Sequence, residues 1–169
     1  TLIKMNPPIR EKSHQDALWK GLLQSTFSTI GSDHAPHSLE EKNQAFMTAP
    51  AGMPGVENTL PLLLNEVNKG RISLEQLCYW TASSPARCFN IMKKGALKVG
   101  YDADLAIVDL KGRNTLSSSN TQNVCGWTPF DGFELKGRAL MSVVNGQLVF
   151  REGEFFDAIK GKEIEILSS

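Results

Sequence analysis

Two short β-like runs, Leu2–Met5 and Phe27–Gly31, flank a stretch with helical periodicity, and this spacing constrains the chain more than any other feature. Strands joined through a helix pair in parallel, because only a long crossover returns the chain to the same end of the sheet. Asn6-Pro7-Pro8 ends the first run, since proline brings no N–H to a ladder. Ser13 is placed to cap the helix, with Asp16 in its first turn. Ala17, Leu18, Gly21 and Leu22 give an apolar face that Trp19 and Leu23 widen. Parallel strands are buried on both sides, so two of them cannot close a core. The front of the chain is therefore expected to be the end of a (β/α) barrel whose other strands lie elsewhere. The start at Thr1, directly on a strand, adds to the expectation that an amino-terminal portion precedes it.

Residues 34–55 read as a long loop containing Pro36, Pro50, Gly52, Pro54 and Gly55, with a short helix between Glu40 and Phe46. Loops of that length in a compact domain are functional or disordered. Val56–Asn68 reads as a helix stopped by Gly70. Ser73 with Gln76 forms a capping box for a helix to about Ala82. Ser84-Pro85 starts another that ends near Asn90. After Gly95 the pattern turns to strands: Asp104–Asp109, Ala139–Val144 and Gln147–Phe150, the last two joined by the hairpin signal Asn145-Gly146. Residues 112–123 read as a polar loop, Glu152-Gly153 as a turn into Glu154-Phe155-Phe156, and Gly161–Ser169 as a surface extension.

Asp33 stands at the carboxyl end of the second run, where barrels place catalytic side chains. A carboxylate there suits a metal ligand or a proton carrier; alone, it equally suits an Asx turn. His34 and His37 follow within four residues, on either side of Pro36. His37 is placed to donate to an anionic substrate, and His34 to brace the loop by hydrogen bonding. His14 reads as solvated and Arg10 as a surface ion-pair partner. Asn6, held by Pro7-Pro8, offers a donor and an acceptor together, which matches the edge of an amide or imide ring. Ala51-Gly52 offers backbone groups to a ligand, since glycine permits close approach. A catalytic metal centre takes about three protein ligands, and this chain supplies few candidates beside Asp33.

Lys+Arg and Asp+Glu both number 18, so nothing points to nucleic acid. No apolar stretch approaches the roughly 20 residues that span a bilayer. Cys78, Cys88 and Cys125 lack metal-type spacing. They read as buried free thiols of a reducing compartment, which points to a cytoplasmic protein, or to an organelle if a targeting segment has been lost. There is no phosphate-binding loop, dinucleotide fingerprint or nucleophile elbow.

Three motifs in order carry a family resemblance: Lys4-Met5-Asn6-Pro7-Pro8-Ile9-Arg10, Ser32-Asp33-His34-Ala35-Pro36-His37 and Ala49-Pro50-Ala51-Gly52-Met53-Pro54-Gly55-Val56-Glu57. Together they resemble the carboxyl-terminal half of dihydroorotases, in the amidohydrolase superfamily. Gly95–Leu105 is similar to the stretch where that superfamily leaves its barrel for a small β domain. The resemblance implies an α/β chain: the carboxyl-terminal part of a (β/α)8 TIM barrel over residues 1–95, then part of a β-sandwich domain and a carboxyl-terminal extension over 96–169. It implies reversible cyclisation of N-carbamoyl-L-aspartate to dihydroorotate, in pyrimidine synthesis. Asp33 would be zinc ligand and proton shuttle, Asn6 and His37 would bind substrate, and Ala51 and Gly52 would contact it through the backbone. One or two zinc ions are expected in the full-length enzyme, held weakly or not at all by this piece, because the family's other ligands lie upstream. The expected partners are a small-molecule substrate, the missing amino-terminal half of the barrel, a second copy in a homodimer, and an aspartate carbamoyltransferase. Allantoinase and hydantoinase-type enzymes are the near alternatives, and Asn6 and His37 match the dihydroorotase pattern better. A non-catalytic homologue that scaffolds such a partner is the alternative of a different class.

Overall fold

The computed structural model describes residues 1–156 and 161–167. Helix α1 spans Lys12–Leu23, α2 Leu39–Lys42, α3 Val56–Asn68, α4 Leu74–Cys78 and α5 Ser84–Cys88, with one π-helical turn over Tyr79–Ser83. Strands β1 (Leu105–Thr115), β2 (Glu134–Val144), β3 (Gln147–Arg151) and β4 (Glu154–Phe155) form one antiparallel sheet in sequential order.

The two front runs do not form strands. Lys4 closes a turn onto Thr1, and Ile30 donates to the Trp80 carbonyl rather than to a neighbouring strand. A parallel strand exists only through the ladder of its neighbours, and the described residues provide none for either run. Helix α1 begins earlier than Ser13 predicts. Glu11 takes the cap position with no side-chain bond, and Lys12 holds the first turn by reaching Asp16 at 2.7 Å and Gln15 at 2.7 Å. Of the expected apolar face, Leu22 is buried and Trp19 packs on the core, while Leu18 is exposed. Gly21 is needed for close packing: a Cβ there would lie 2.6 Å from the Phe27 ring.

Helix α3 is the beam of the molecule. Leu60, Leu63, Leu64 and Val67 recur at helical spacing and meet Leu22, Ile72, Leu77 and Trp80 in the core. The other side of the helix lies on β2. Gly137, at φ 106, lets the backbones meet, since a Cβ there would stand 2.6 Å from Leu64 Cβ. Asn65 Oδ1 accepts from Lys136 N and Asn68 Nδ2 donates to Lys136 O, both at 3.0 Å, so the helix end grips the strand backbone. Helix α4 has its Ser73/Gln76 capping box. It then runs into α5 without a break, because the wide π-helical turn accommodates Pro85, which has no N–H to offer.

The sheet follows from its turns. Asn145 (φ 50) and Gly146 (φ 77) make the two-residue hairpin between Val144 and Gln147. Glu152 (φ 48) and Gly153 (φ 95) repeat the device between Arg151 and Glu154. Strand β1 extends to Thr115, into the stretch expected to be loop, because Arg113–Thr115 find partners in Glu134–Lys136 after a bulge. The tail is less free than expected. Ile166 bridges Ile91, Met92 N donates to Glu165 O, and Leu167 N donates to Asn90 O. Residues 168–169 of that extension lie outside the described residues. Cys78 and Cys88 are exposed rather than buried, and Cys125 is half-buried; all are free thiols. Leu77 and Trp80 take the core side of the helix, which turns Cys78 outward.

Candidate active site

Backbone bonds gather the three motif segments. Gly52 N donates to Lys4 O at 2.9 Å, which ties the third motif to the first at Lys4, two positions ahead of Asn6. Ala35 N donates to Met53 O at 3.1 Å, and His34 bridges Met53 in parallel, which ties the third to the second. Gly52 sits at φ 135, where a side chain is strained. A Cβ at Gly52 would lie 2.4 Å from Ala35 O and 3.1 Å from His37 Cδ2. The glycine is therefore required by the close approach of two backbones, and the His37 ring lies against it.

Asp33 is exposed, with a backbone φ of 46. That left-handed conformation is one that Asp and Asn tolerate better than other side chains. His34, although exposed, uses its imidazole to brace the backbone: Nδ1 accepts from Gly55 N at 3.0 Å and Val56 N at 3.4 Å, capping the start of α3. Nδ1 is thus the unprotonated nitrogen. Asn6 is exposed, and the Asn6–Pro7 peptide bond is cis. His37 is half-buried, with Nδ1 3.7 Å from Glu41 Oε2. Glu41 also closes the Ser38 capping box, and the Ser38 N–H and hydroxyl hold its carboxyl below the usual carboxylate range.

Two supports escaped the sequence reading. Trp127, almost fully buried, donates from Nε1 to His37 O at 2.8 Å, although 90 positions separate them. Its neighbour Thr128 accepts from Asn58 Nδ2 at 3.0 Å in the interior, and Glu57 receives the Gln122 N–H. The loop after β1 is thereby seated on the start of α3. An indole just past the polar stretch of residues 112–123 is the available signal. The second support is Lys42, wholly buried in a short helix of otherwise ordinary polar composition. No pattern in its neighbourhood marks it.

Among the described residues no three His, Cys, Asp or Glu side chains gather closely enough to hold a metal ion. Asp33 fits as one donor, and the described residues alone fall short of a full ligand set. The arrangement places an exposed carboxylate, an imidazole and a carboxamide-bearing segment around a backbone turn.

The amidohydrolase family model matches residues 8–149. This chain belongs to the amidohydrolase family. Among its relatives are the dihydroorotases of Pyrococcus furiosus, 39% identical over 163 residues, and of Anoxybacillus flavithermus, 41% identical over 151 residues. These matches cover 96% and 89% of the chain but only 38% and 35% of the relatives, so the chain spans little more than a third of their length. Solved amidohydrolases share the structure. The L-hydantoinase (dihydropyrimidinase) of Arthrobacter aurescens superimposes with a TM-score of 0.87 at 36% identity, covering 92% of this chain and 36% of that one. The dihydropyrimidinase of Brevibacillus agri gives 0.86 at 31% identity, covering 91% and 35%. Family and neighbours imply a TIM-barrel-type fold, of which this amidohydrolase chain is an α/β part with a small antiparallel sheet. No helix among the described residues is long and apolar enough to cross a membrane.

Proposed function

We propose that the chain is the carboxyl-terminal part of a zinc-dependent dihydroorotase that interconverts N-carbamoyl-L-aspartate and dihydroorotate. Residues 1–95 would complete the barrel and 96–169 would contribute to a β-sandwich. The observation that carries the reading is the joining of the three motif segments through Gly52, with the His37 ring at its side. Sequence kinship with dihydroorotases across nearly the whole chain supports it.

In this reading Asp33 is the chain's donor to zinc, and the remaining ligands come from polypeptide that this chain does not contain. Zinc, when bound, supplies Lewis acidity toward the amide carbonyl and toward water. Asp33, exposed at the site, carries the proton between water and the ring nitrogen. His37 and Asn6 bind the substrate's acidic group and ring edge. Ala51 and Gly52 meet it through the backbone, where no side chain intervenes. Excess charge is absent, as suits a small polar metabolite rather than a polymer. A cytoplasmic setting and pairing with a second copy belong to the same reading.

The solved neighbours include hydantoinases, so opening of a hydantoin ring is the second reading. An assay of the full-length protein decides between them. Dihydroorotate turnover in both directions is expected. Ring opening of hydantoin or allantoin without dihydroorotate turnover would reverse the choice. The 18.6 kDa chain by itself is expected to be inactive; full activity from material of that intact mass overturns the assignment of ligands to other polypeptide.

A further inference from the structure

Lys42 has none of its surface exposed, yet it meets no carboxylate among the described residues. Its ammonium instead donates to three backbone carbonyls: Gly52 O at 2.7 Å, Pro50 O at 3.0 Å and Lys4 O at 3.3 Å. An ammonium carries three N–H donors, and all are used. Burial is costly for such a cation and pulls its pKa below the ordinary lysine value, with the Lys4 ammonium adding to the effect. An apolar side chain in this space would leave the Pro50 and Gly52 carbonyls without this donor, so the ammonium is bound up with how the turn is built.

The three carbonyls belong to the two segments that carry Asn6 and Ala51-Gly52. Lys4 O also accepts the Gly52 N–H, so one oxygen receives both. A trans peptide points its carbonyl and its N–H in opposite directions. Drawing Pro50 O toward Lys42 therefore aims the Ala51 N–H away from it. That N–H donates to no acceptor among the described residues. A carbonyl bound to a cation also polarises its own peptide and strengthens the opposite donor.

We propose that Lys42 is a positioning residue, which fixes the Pro50–Gly52 turn so that the Ala51 N–H is presented to an acidic group of the substrate. Lys42 touches no substrate in this role; it acts through the backbone. The proposal rests on the dihydroorotase reading and deepens it.

The test uses the full-length enzyme with Lys42→Met and Lys42→Ala. Wild-type turnover of dihydroorotate is measured first. In Lys42→Met, the KM for dihydroorotate is expected to rise at least tenfold while kcat stays within threefold, with the folded fraction unchanged. In Lys42→Ala, added propylammonium is expected to restore KM, because it replaces the lost atoms and donors. Tetramethylammonium, a cation with no N–H, is expected to leave KM raised. A KM unchanged in folded Lys42→Met overturns the proposal, as does a loss of activity that only follows the folded fraction. Hydrogen exchange at the Gly52 amide provides a readout that needs no turnover: at least tenfold faster exchange in Lys42→Met is expected. If wild-type enzyme is inert toward dihydroorotate, the functional reading fails, and Gly52 exchange alone judges Lys42. Faster exchange then supports its hold on the turn, and unchanged exchange overturns it.

Discussion

Strands β2 and β3 are joined by a two-residue turn and pair from Val144↔Gln147 outward. The three segments around Gly52 meet through single bonds between residues as far apart as Lys42 and Gly52, Lys4 and Gly52, or His37 and Trp127. The sheet distributes its order over many similar contacts, each set by the residue beside it. The site concentrates its order in a few dissimilar ones. Loss of one contact in the sheet lowers stability by a small amount. Under the proposed function, loss of one contact at the site moves an atom that meets the substrate. The first kind of damage is read in a melting curve, the second in a rate.

The largest effect is expected at Asp33. In the complete enzyme Asp33→Asn keeps a residue that tolerates the observed φ of 46, so the backbone is undisturbed and only the charge is lost. Turnover should fall by about a hundredfold or more, the range that a positioned acid–base group supplies. The melting temperature should stay within a few degrees. Undiminished turnover would falsify the proton-carrying role and leave Asp33 as a loop-shaping residue.

Trp127 couples the two regions, and two substitutions separate its roles. Trp127→Ala empties a buried indole site and should cost about 3–5 kcal/mol by chemical denaturation. Trp127→Phe keeps most of the volume but leaves His37 O without its donor, at about 1 kcal/mol. If the comparison is sound, the phenylalanine variant raises KM by more than its stability loss explains. Equal KM values for wild type and Trp127→Phe would show that the His37 backbone is held by other means.

Gly137→Ala strikes the packing between helix and sheet. The added methyl would meet Leu64 Cβ at 2.6 Å, at a φ of 106 that alanine rarely adopts. Overpacking of this kind costs about 1–3 kcal/mol. The expected result is a lower melting temperature with KM unchanged, since no bond at the site runs through Gly137. A KM shift would mean that the sheet sets the site's geometry after all.

These expectations also explain which parts were legible in the amino-acid order. Helix α3 was read to its last residue because its apolar spacing and Gly70 act locally. The hairpin at Asn145-Gly146 was legible because its two residues alone supply the positive φ values. Leu2–Met5 and Phe27–Gly31 read as strands of a barrel whose other strands lie elsewhere, and neither forms a strand here, because a parallel strand is a property of its neighbours rather than of its own residues. Ser13 was misread as a cap because the Lys12–Asp16 pair starts the helix earlier. Asp33, His37 and Gly52 stood out through the punctuation around them. Lys42 did not, since a lysine in Leu-Glu-Glu-Lys looks solvated until the carbonyls of residues 4, 50 and 52 are folded around it. Distant partners leave no local pattern.

The smallest effect tests whether a single sheet contact behaves as a minor share. Asp104 accepts from Asn145 N at 2.7 Å and pairs with Lys94, and these two together hold its carboxyl below the usual range. Lys94, between Asp104 and Asp102, is correspondingly raised. The sign follows from proton linkage. An unfolded Asp takes its proton near pH 3.9, whereas the folded Asp104 holds out to lower pH. Its contribution is therefore complete above about pH 4 and disappears as pH falls through the folded value. The Lys94 share is complete below the unfolded lysine value and disappears as pH rises through its own raised value. Because the pair is partly solvated, the acid-side loss should be only about 1 kcal/mol. Asp104→Asn keeps an acceptor for Asn145 N while removing the charge, so it should flatten this step in denaturation curves between pH 2 and 5, about, and leave the hairpin formed. A variant that instead loses several times that stability would show that the hairpin depends on one bond as heavily as the site does, and the contrast between the two regions would fail.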